Sequence, residues 1–161
     1  MKESRRLAVD GLLTALLFVS QVAIGYLPNI ELVSLFVITY TLVLGKRVIP
    51  ILTAFTLLEG ILYGFGIWWV SYLYLWPVLA GLTWVLRKFH APDWGYAFLS
   101  CGFGLGFGLL CSIPYLAGGF SAAFVYWTNG LSFDLIHGAS NLVIALFLFR
   151  PVRQVLHYCL L

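Results

Sequence analysis

The sequence predicts an all-α integral membrane protein: a single six-transmembrane-helix bundle over residues 1–161, with N- and C-termini cytoplasmic. Three observations carry that expectation. The chain is 62% hydrophobic and 9% charged, whereas a soluble domain carries about 25% charged residues. So few charges cannot cover a surface that faces water. The apolar residues also form continuous runs of helix length. Finally, all nine lysines and arginines fall on one side when those runs are counted as six crossings.

The spans are expected at about Leu7–Tyr26, Leu32–Leu44, Val48–Phe65, Trp68–Leu86, Trp94–Ala117 and Leu131–Phe149. No small-residue cleavage site follows the first run, and apolar runs continue to the end. It therefore reads as a span rather than a removed signal peptide. The second is short against the roughly 20 residues that a helical crossing needs. It either reaches back into Asn29–Glu31 or is tilted or partly re-entrant. Gly64 and Gly66 allow a tight turn between the third and fourth. A closed β-barrel also satisfies backbone groups in lipid, but it needs an alternation of polar and apolar residues that these runs lack.

Lys2, Arg5 and Arg6 precede the first span, and Lys46 and Arg47 lie between the second and third. Arg87 and Lys88 follow the fourth, and Arg150 and Arg153 follow the sixth. The positive-inside rule makes that side cytoplasmic. The outer loops, Leu27–Ile30, Gly64–Ile67 and Gly118–Gly130, contain no basic residue. Trp68, Trp69, Trp94, Tyr126 and Trp127 fall near the expected interfaces, where aromatic belts form. Cys101, Cys111 and Cys159 form no CxxC pair and read as packing residues.

Gly11 and Ala15 share a helix face, which Val19 and Ala23 continue with some drift. Small residues let another helix approach closely in a membrane; spacing alone does not separate a partner's helix from packing within the bundle. Gly102, Gly104, Gly106 and Gly108 are not a phosphate loop, since no Lys-Ser/Thr follows them. The pairs Gly102/Gly106 and Gly104/Gly108 suggest tight helix packing on two faces.

Acidic residues within spans are costly, by about 3 kcal/mol on insertion scales, so they usually face a cavity or a partner. Glu59 is expected in the outer half of the third span, with Tyr63 one turn further out. Asp134, His137 and Asn141 share a stripe at i, i+3 and i+7. Asn29 and Glu31 sit at the outer start of the second span, and Trp69, Tyr72 and Trp76 share a face of the fourth. Together these define an expected outward-facing, substrate-binding pocket with aromatic walls and acidic or amide groups. The plainer readings are a lipid belt for the aromatics and a structural Asp134–His137 pair. Asp10 lies near Arg5 and Arg6 and reads as a solvated or paired surface acid.

No catalytic or metal site is legible, and no cofactor is expected. Ser140 and His137 are not an argued nucleophile and base. Asp10 and Asp93 are isolated rather than clustered carboxylates, and His90, His137 and His157 are scattered. A stand-alone secondary or proton-coupled transporter for a small neutral or cationic solute can be built on Glu59, Asp134 and His137. However, the six spans show no convincing internal repeat of the kind many secondary carriers have.

The short six-span chain, the opening helix LAVDGLLTALLFVSQVA, the loop YLPNIELVS and the ending FDLIHGASNLVIALFLFRPV together resemble a substrate-binding S component of the energy-coupling factor (ECF) vitamin transporters. The resemblance covers nearly the whole chain. The family typically has Ala-xxx-Ala on its first helix; here Gly11 replaces the first alanine. The resemblance implies a non-enzymatic, multi-pass module of a prokaryotic plasma membrane that captures a vitamin or related micronutrient from outside. It also implies docking, through Gly11 and Ala15, onto a transmembrane coupling subunit driven by two cytoplasmic ATPases. The absence of a nucleotide motif agrees with ATP hydrolysis in those partners, and no nucleic acid is expected to bind. With acids and aromatics but no basic residue in any span or outer loop, a neutral or cationic compound with flat rings is expected. Thiamine-like or pyrimidine-like compounds, a queuosine precursor and a corrinoid are the candidates.

Overall fold

Helix α2 (Val33–Leu44) is the innermost element. From Val33 to Thr41 nearly every residue is buried, on all faces rather than along one stripe, because neighbours pack on every side. Polar side chains enclosed in this way must be satisfied internally. Thr39 and Thr41 donate to the carbonyls of Leu35 and Val37, at 2.8 and 2.6 Å. The Tyr40 hydroxyl donates to the Leu13 carbonyl at 3.4 Å.

The structure, a computed structural model, describes residues 3–160; Met1, Leu161 and the cationic Lys2 lie outside the described residues. It is all-helical, with no strand among the described residues. Around α2 run α1 (Glu3–Ile24), α3 (Val48–Tyr63), α4 (Ile67–Lys88), α5 (Asp93–Leu105), the short α6 (Phe107–Cys111) and α7 (Phe120–Leu160). Short 3-10 turns at Gly45–Arg47 and Ile113–Gly118 follow α2 and α6. Among the described residues, four stretches are long and apolar enough to cross a membrane: α1, the Val33–Tyr63 run, α4 and α7. Helix α2 alone has 12 residues, about 18 Å of helix. It does not reach back into Asn29–Glu31, which belong to the preceding loop. The expected turn between α3 and α4 is present, with Gly64 at a φ of 87°.

Two expected boundaries are corrected. The stretch Trp94–Ala117 is not one helix: α5 stops at Leu105 and α6 restarts after Gly106. The stretch Gly118–Gly130 is not a loop. The chain turns at Gly119, in the left-handed region at a φ of 97°, and is helical from Phe120 on. The expected span Leu131–Phe149 is thus the middle of a 41-residue helix, about 60 Å long and twice the hydrocarbon thickness. Packing explains the extension: Tyr126 stacks on Tyr115 of the preceding turn, ring centroids 4.1 Å apart. Gly130 is carried within the helix without a break.

Helices α5 and α7 meet at glycines. A Cβ on Gly104 would sit 2.9 Å from the Gly138 backbone, and one on Gly138 would strike Leu105. Of the two glycine pairs, Gly104/Gly108 faces α7. Gly102 has open space around it, and Gly106 marks the helix break.

The cationic residues meet at one end. Arg47 pairs with Asp10 at 2.7 Å and donates to the Arg6 carbonyl at 3.1 Å. Arg87 donates to the Leu42 carbonyl at 3.3 Å. Arg150 and Arg153 share the Asp93 carboxylate at 3.1 and 2.8 Å. Asp10 is therefore a paired acid, held by Arg47 from the α2–α3 turn. The face of α1 carrying Gly11, Ala15, Val19 and Ala23 is exposed, whereas Leu13, Thr14 and Leu17 are buried. Packing within this chain does not use the small face.

Gly104→Leu forces α5 away from α7, and a loss of about 1–3 kcal/mol is expected, the usual range for overpacking. Gly102→Ala meets nothing within 4 Å and is expected to be neutral or slightly stabilising. Thermal unfolding of both variants in detergent checks the contrast; equal melting temperatures would show that the close approach carries no stability.

Candidate functional site

The loop between α1 and α2 is built around one carboxylate. Glu31 Oε2 accepts from the Ser34 N–H at 2.8 Å, in the first turn of α2. Helix N-termini carry unpaired N–H donors and a partial positive charge, so an acid there is favourable. Glu31 Oε1 lies 3.2 Å from His137 Nε2 on α7. A carboxylate only accepts, so the hydrogen in that contact is on Nε2. Burial acts to raise the Glu31 carboxyl, but the His137 hydrogen bond and charge, with the Ser34 contacts, outweigh it and hold the group below the usual carboxylate range. A second tie fixes the loop: the Ser140 hydroxyl donates to the Asn29 carbonyl at 3.0 Å. Asn29 itself sits at a φ of 59°, a left-handed conformation that asparagine tolerates better than most residues.

Beneath this loop lies a cavity of about 150 Å³. Asn29 and Glu31 line it from the loop, with Pro28 and Ile30 beside them. Tyr72 and Trp76 line it from α4, Phe107 from α6 and His137 from α7. Gln21 of α1 supplies a further amide. The aromatic rings form a continuous wall. Trp68 meets Tyr72, and Tyr72 meets Trp76, each with centroids 5.2 Å apart. Trp76 lies 6.2 Å from Phe107, which lies 4.8 Å from His137. Trp76 and His137 are 2% and 3% exposed, and among the described residues Trp76 Nε1 and His137 Nδ1 have no hydrogen-bond partner. The cavity thus offers a carboxylate, an indole N–H, an imidazole nitrogen and flat apolar walls.

The structure brings five of the ten sequence-derived positions to this cavity: Asn29, Glu31, Tyr72, Trp76 and His137. Glu59 is buried on α3, one turn from Phe55, and Phe55 packs on both Tyr72 and Trp76. It therefore stands behind the aromatic wall. Trp69 is turned toward α3, where its indole donates to the Thr56 carbonyl at 2.8 Å. Tyr63 is exposed at the end of α3. Asp134 Oδ1 accepts from the Gly108 N–H at 2.9 Å, and Asn141 reaches the Ser100 carbonyl at 3.4 Å. These two hold the broken α5–α6 segment against α7.

Gln21 and Phe107 were not singled out from sequence. A lone amide in the outer half of an apolar helix is a signal for Gln21. Phe107 carries none, because its position depends on the break at Gly106. A smaller hollow of about 100 Å³ between α3 and α4 has only apolar and threonine lining, and no charged group converges there. Among the described residues no three His, Cys, Asp or Glu side chains gather as a metal site. Compared with known proteins, the chain matches no family model, no curated protein and no solved structure.

Because the folded Glu31 carboxyl is held low, its stabilisation is complete above the ordinary glutamate pKa of about 4.3 and is lost as pH falls through the lower folded value. Glu31→Gln should destabilise the protein by about 1–3 kcal/mol at neutral pH, the range for a lost buried hydrogen bond to a charged group. The variant should also flatten the acid limb of a stability–pH profile measured by thermal unfolding. An unchanged acid limb would remove Glu31 from its proposed electrostatic role.

Proposed function

We propose that this chain is the substrate-binding S component of an energy-coupling factor importer. In this reading it crosses a prokaryotic plasma membrane six times, with both termini cytoplasmic. It captures a micronutrient from outside and delivers it with a transmembrane coupling subunit and two ATPase subunits. The observation that carries the reading is the cavity at the head of α2, where a half-buried carboxylate and a buried imidazole meet an aromatic wall. The cationic collar gathers beyond the foot of the same helix. That polarity suits a site that is open to one side of a membrane while its loops are anchored on the other. Crossings at α2 and at the broken α5–α6 segment bring the count to six.

The small face of α1 supports the docking half of the reading. Gly11 and Ala15 are exposed, and nothing lies within 4 Å of a Cβ built on Gly11. Small exposed residues at this spacing let a partner's helix approach closely in lipid, where packing rather than hydrophobicity drives association.

The cavity also narrows the ligand. About 150 Å³ suits a compound of one or two small rings and excludes a corrinoid without large opening. Among the described residues its lining has an acid and no lysine or arginine, so an anionic compound finds no guanidinium or ammonium partner. Aromatic faces attract cations and stack on heteroaromatic rings. A neutral or cationic flat heterocycle is the reading that fits.

Mass spectrometry of small molecules co-purifying with the full chain should find such a heterocycle. Glu31→Gln and Trp76→Ala should each weaken its binding about tenfold or more, the loss of one charged hydrogen bond or one stacking wall. Gly11→Trp should leave binding intact while abolishing co-purification of an ATPase-containing complex. Solute uptake by the chain alone in liposomes, with no ATPase present, would instead favour a self-sufficient carrier and sink the proposal.

A further inference from the structure

We propose that a second site lies at the cationic end of the bundle. It binds a phosphate group, presented as the headgroup of an anionic phospholipid. The site is a hollow of about 700 Å³ between the ends of α2 and α4, the start of α5 and the last third of α7. Arg87 and His90 line one side, and Arg153, Gln154 and His157 line the other. No acid lines it. The neighbouring carboxylate, Asp93, is shared by Arg150 and Arg153, so two guanidinium groups stand against one negative charge. Arg87 commits one N–H to the Leu42 carbonyl, and a guanidinium has five. Its remaining donors are available in a planar fork that matches phosphate oxygens.

The backbone at His90 gives an independent indication. Helix α4 ends in a Schellman cap: His90 N–H donates to the Arg87 carbonyl at 3.1 Å, and Ala91 N–H to the Leu86 carbonyl at 3.4 Å. The residue at the position of His90 takes a left-handed conformation, and glycine usually fills it. Here a histidine holds a φ of 52°, and its ring lines the hollow beside Arg87. Unfavourable backbone conformations tend to persist where a side chain is needed. Arg153 is positioned as well, 5.4 Å over the Phe149 ring, which in turn stacks on Tyr96 at 5.2 Å.

The surroundings favour a lipid over a soluble phosphate. Leu42 and Val43 form an apolar wall of the hollow. A headgroup can therefore meet the cations while its acyl chains run along apolar side chains. Basic pockets between helices at a membrane interface hold anionic headgroups through the same combination. This inference is independent of the outer cavity and of what that cavity binds.

The test is native mass spectrometry of the full chain in neutral detergent, titrated separately with phosphatidylglycerol, phosphatidylcholine and inorganic phosphate. One phosphatidylglycerol should bind in clear preference to phosphatidylcholine and to inorganic phosphate. Arg87→Gln should weaken that binding about fivefold, as one interfacial cation does. His90→Gly should weaken it in the same direction while keeping or raising the melting temperature, because glycine suits the cap. Equal binding of the two lipids, or unchanged binding in both variants, overturns the proposal. Inorganic phosphate binding as tightly as phosphatidylglycerol overturns the lipid as occupant.

Discussion

A single half-buried carboxylate, Glu31, holds the head of the innermost helix to the longest one. Its two oxygens accept from Ser34 on α2 and from His137 on α7. Burying a charge is strongly unfavourable unless it is paired and hydrogen-bonded. Two groups offset that burial here: the Ser34 N–H at the N-terminus of α2 and the His137 imidazole. Without them, among the described residues, the Ser140 bond is the one hydrogen bond left to hold the loop from Gly25 to Leu32 against α7, and the cavity loses both its roof and its charge.

The wall opposite Glu31 depends on an interruption. A helix that stops and restarts in an apolar setting leaves N–H donors unpaired. Asp134 meets one of them at Gly108, and the absence of a side chain at Gly108 gives the carboxylate its room. The break at Gly106 also places Phe107 between Trp76 and His137. An unbroken helix through these residues would place this ring differently relative to α7. Gly104 and Gly138 then allow the backbones of α5 and α7 to touch, which holds the restarted turn close enough for Asp134 to reach. The acid read from sequence as a pocket group thus serves as a cap that keeps a pocket aromatic in place.

Apolar run length made the helical architecture legible, since it acts along the chain. The pairing of acids with cations at one end was partly legible: Asp10 near Arg5 and Arg6 reads as a solvated or paired surface acid, but its partner Arg47 is 37 positions away. Glu31 and His137 are 106 positions apart, and no periodicity links them; each could be singled out only as a polar residue at an apolar boundary. The stretch Gly118–Gly130 was misread because glycines and a polar Thr128–Asn129 pair look like a loop. Stacking of Tyr126 on Tyr115 keeps it helical. Helical angle alone places Trp69 with Trp76, but the tight turn at Gly64–Gly66 draws its indole to α3.

The two ends of the molecule use charge in opposite ways. At the foot of α2 the acids Asp10 and Asp93 are both taken by arginines, and the surplus is positive. At its head the carboxylate is half-buried, and its side-chain partner among the described residues is the His137 ring. Exposed arginines keep their charge and their hydration, so the foot is suited to fixed contacts with headgroups or water. A carboxylate held by one backbone N–H and one ring nitrogen can exchange the ring contact for a ligand's own N–H and keep both oxygens satisfied. The two ends of α2 thus differ in the chemistry that holds their carboxylates. The apolar length of the bundle between them keeps the two fields from cancelling.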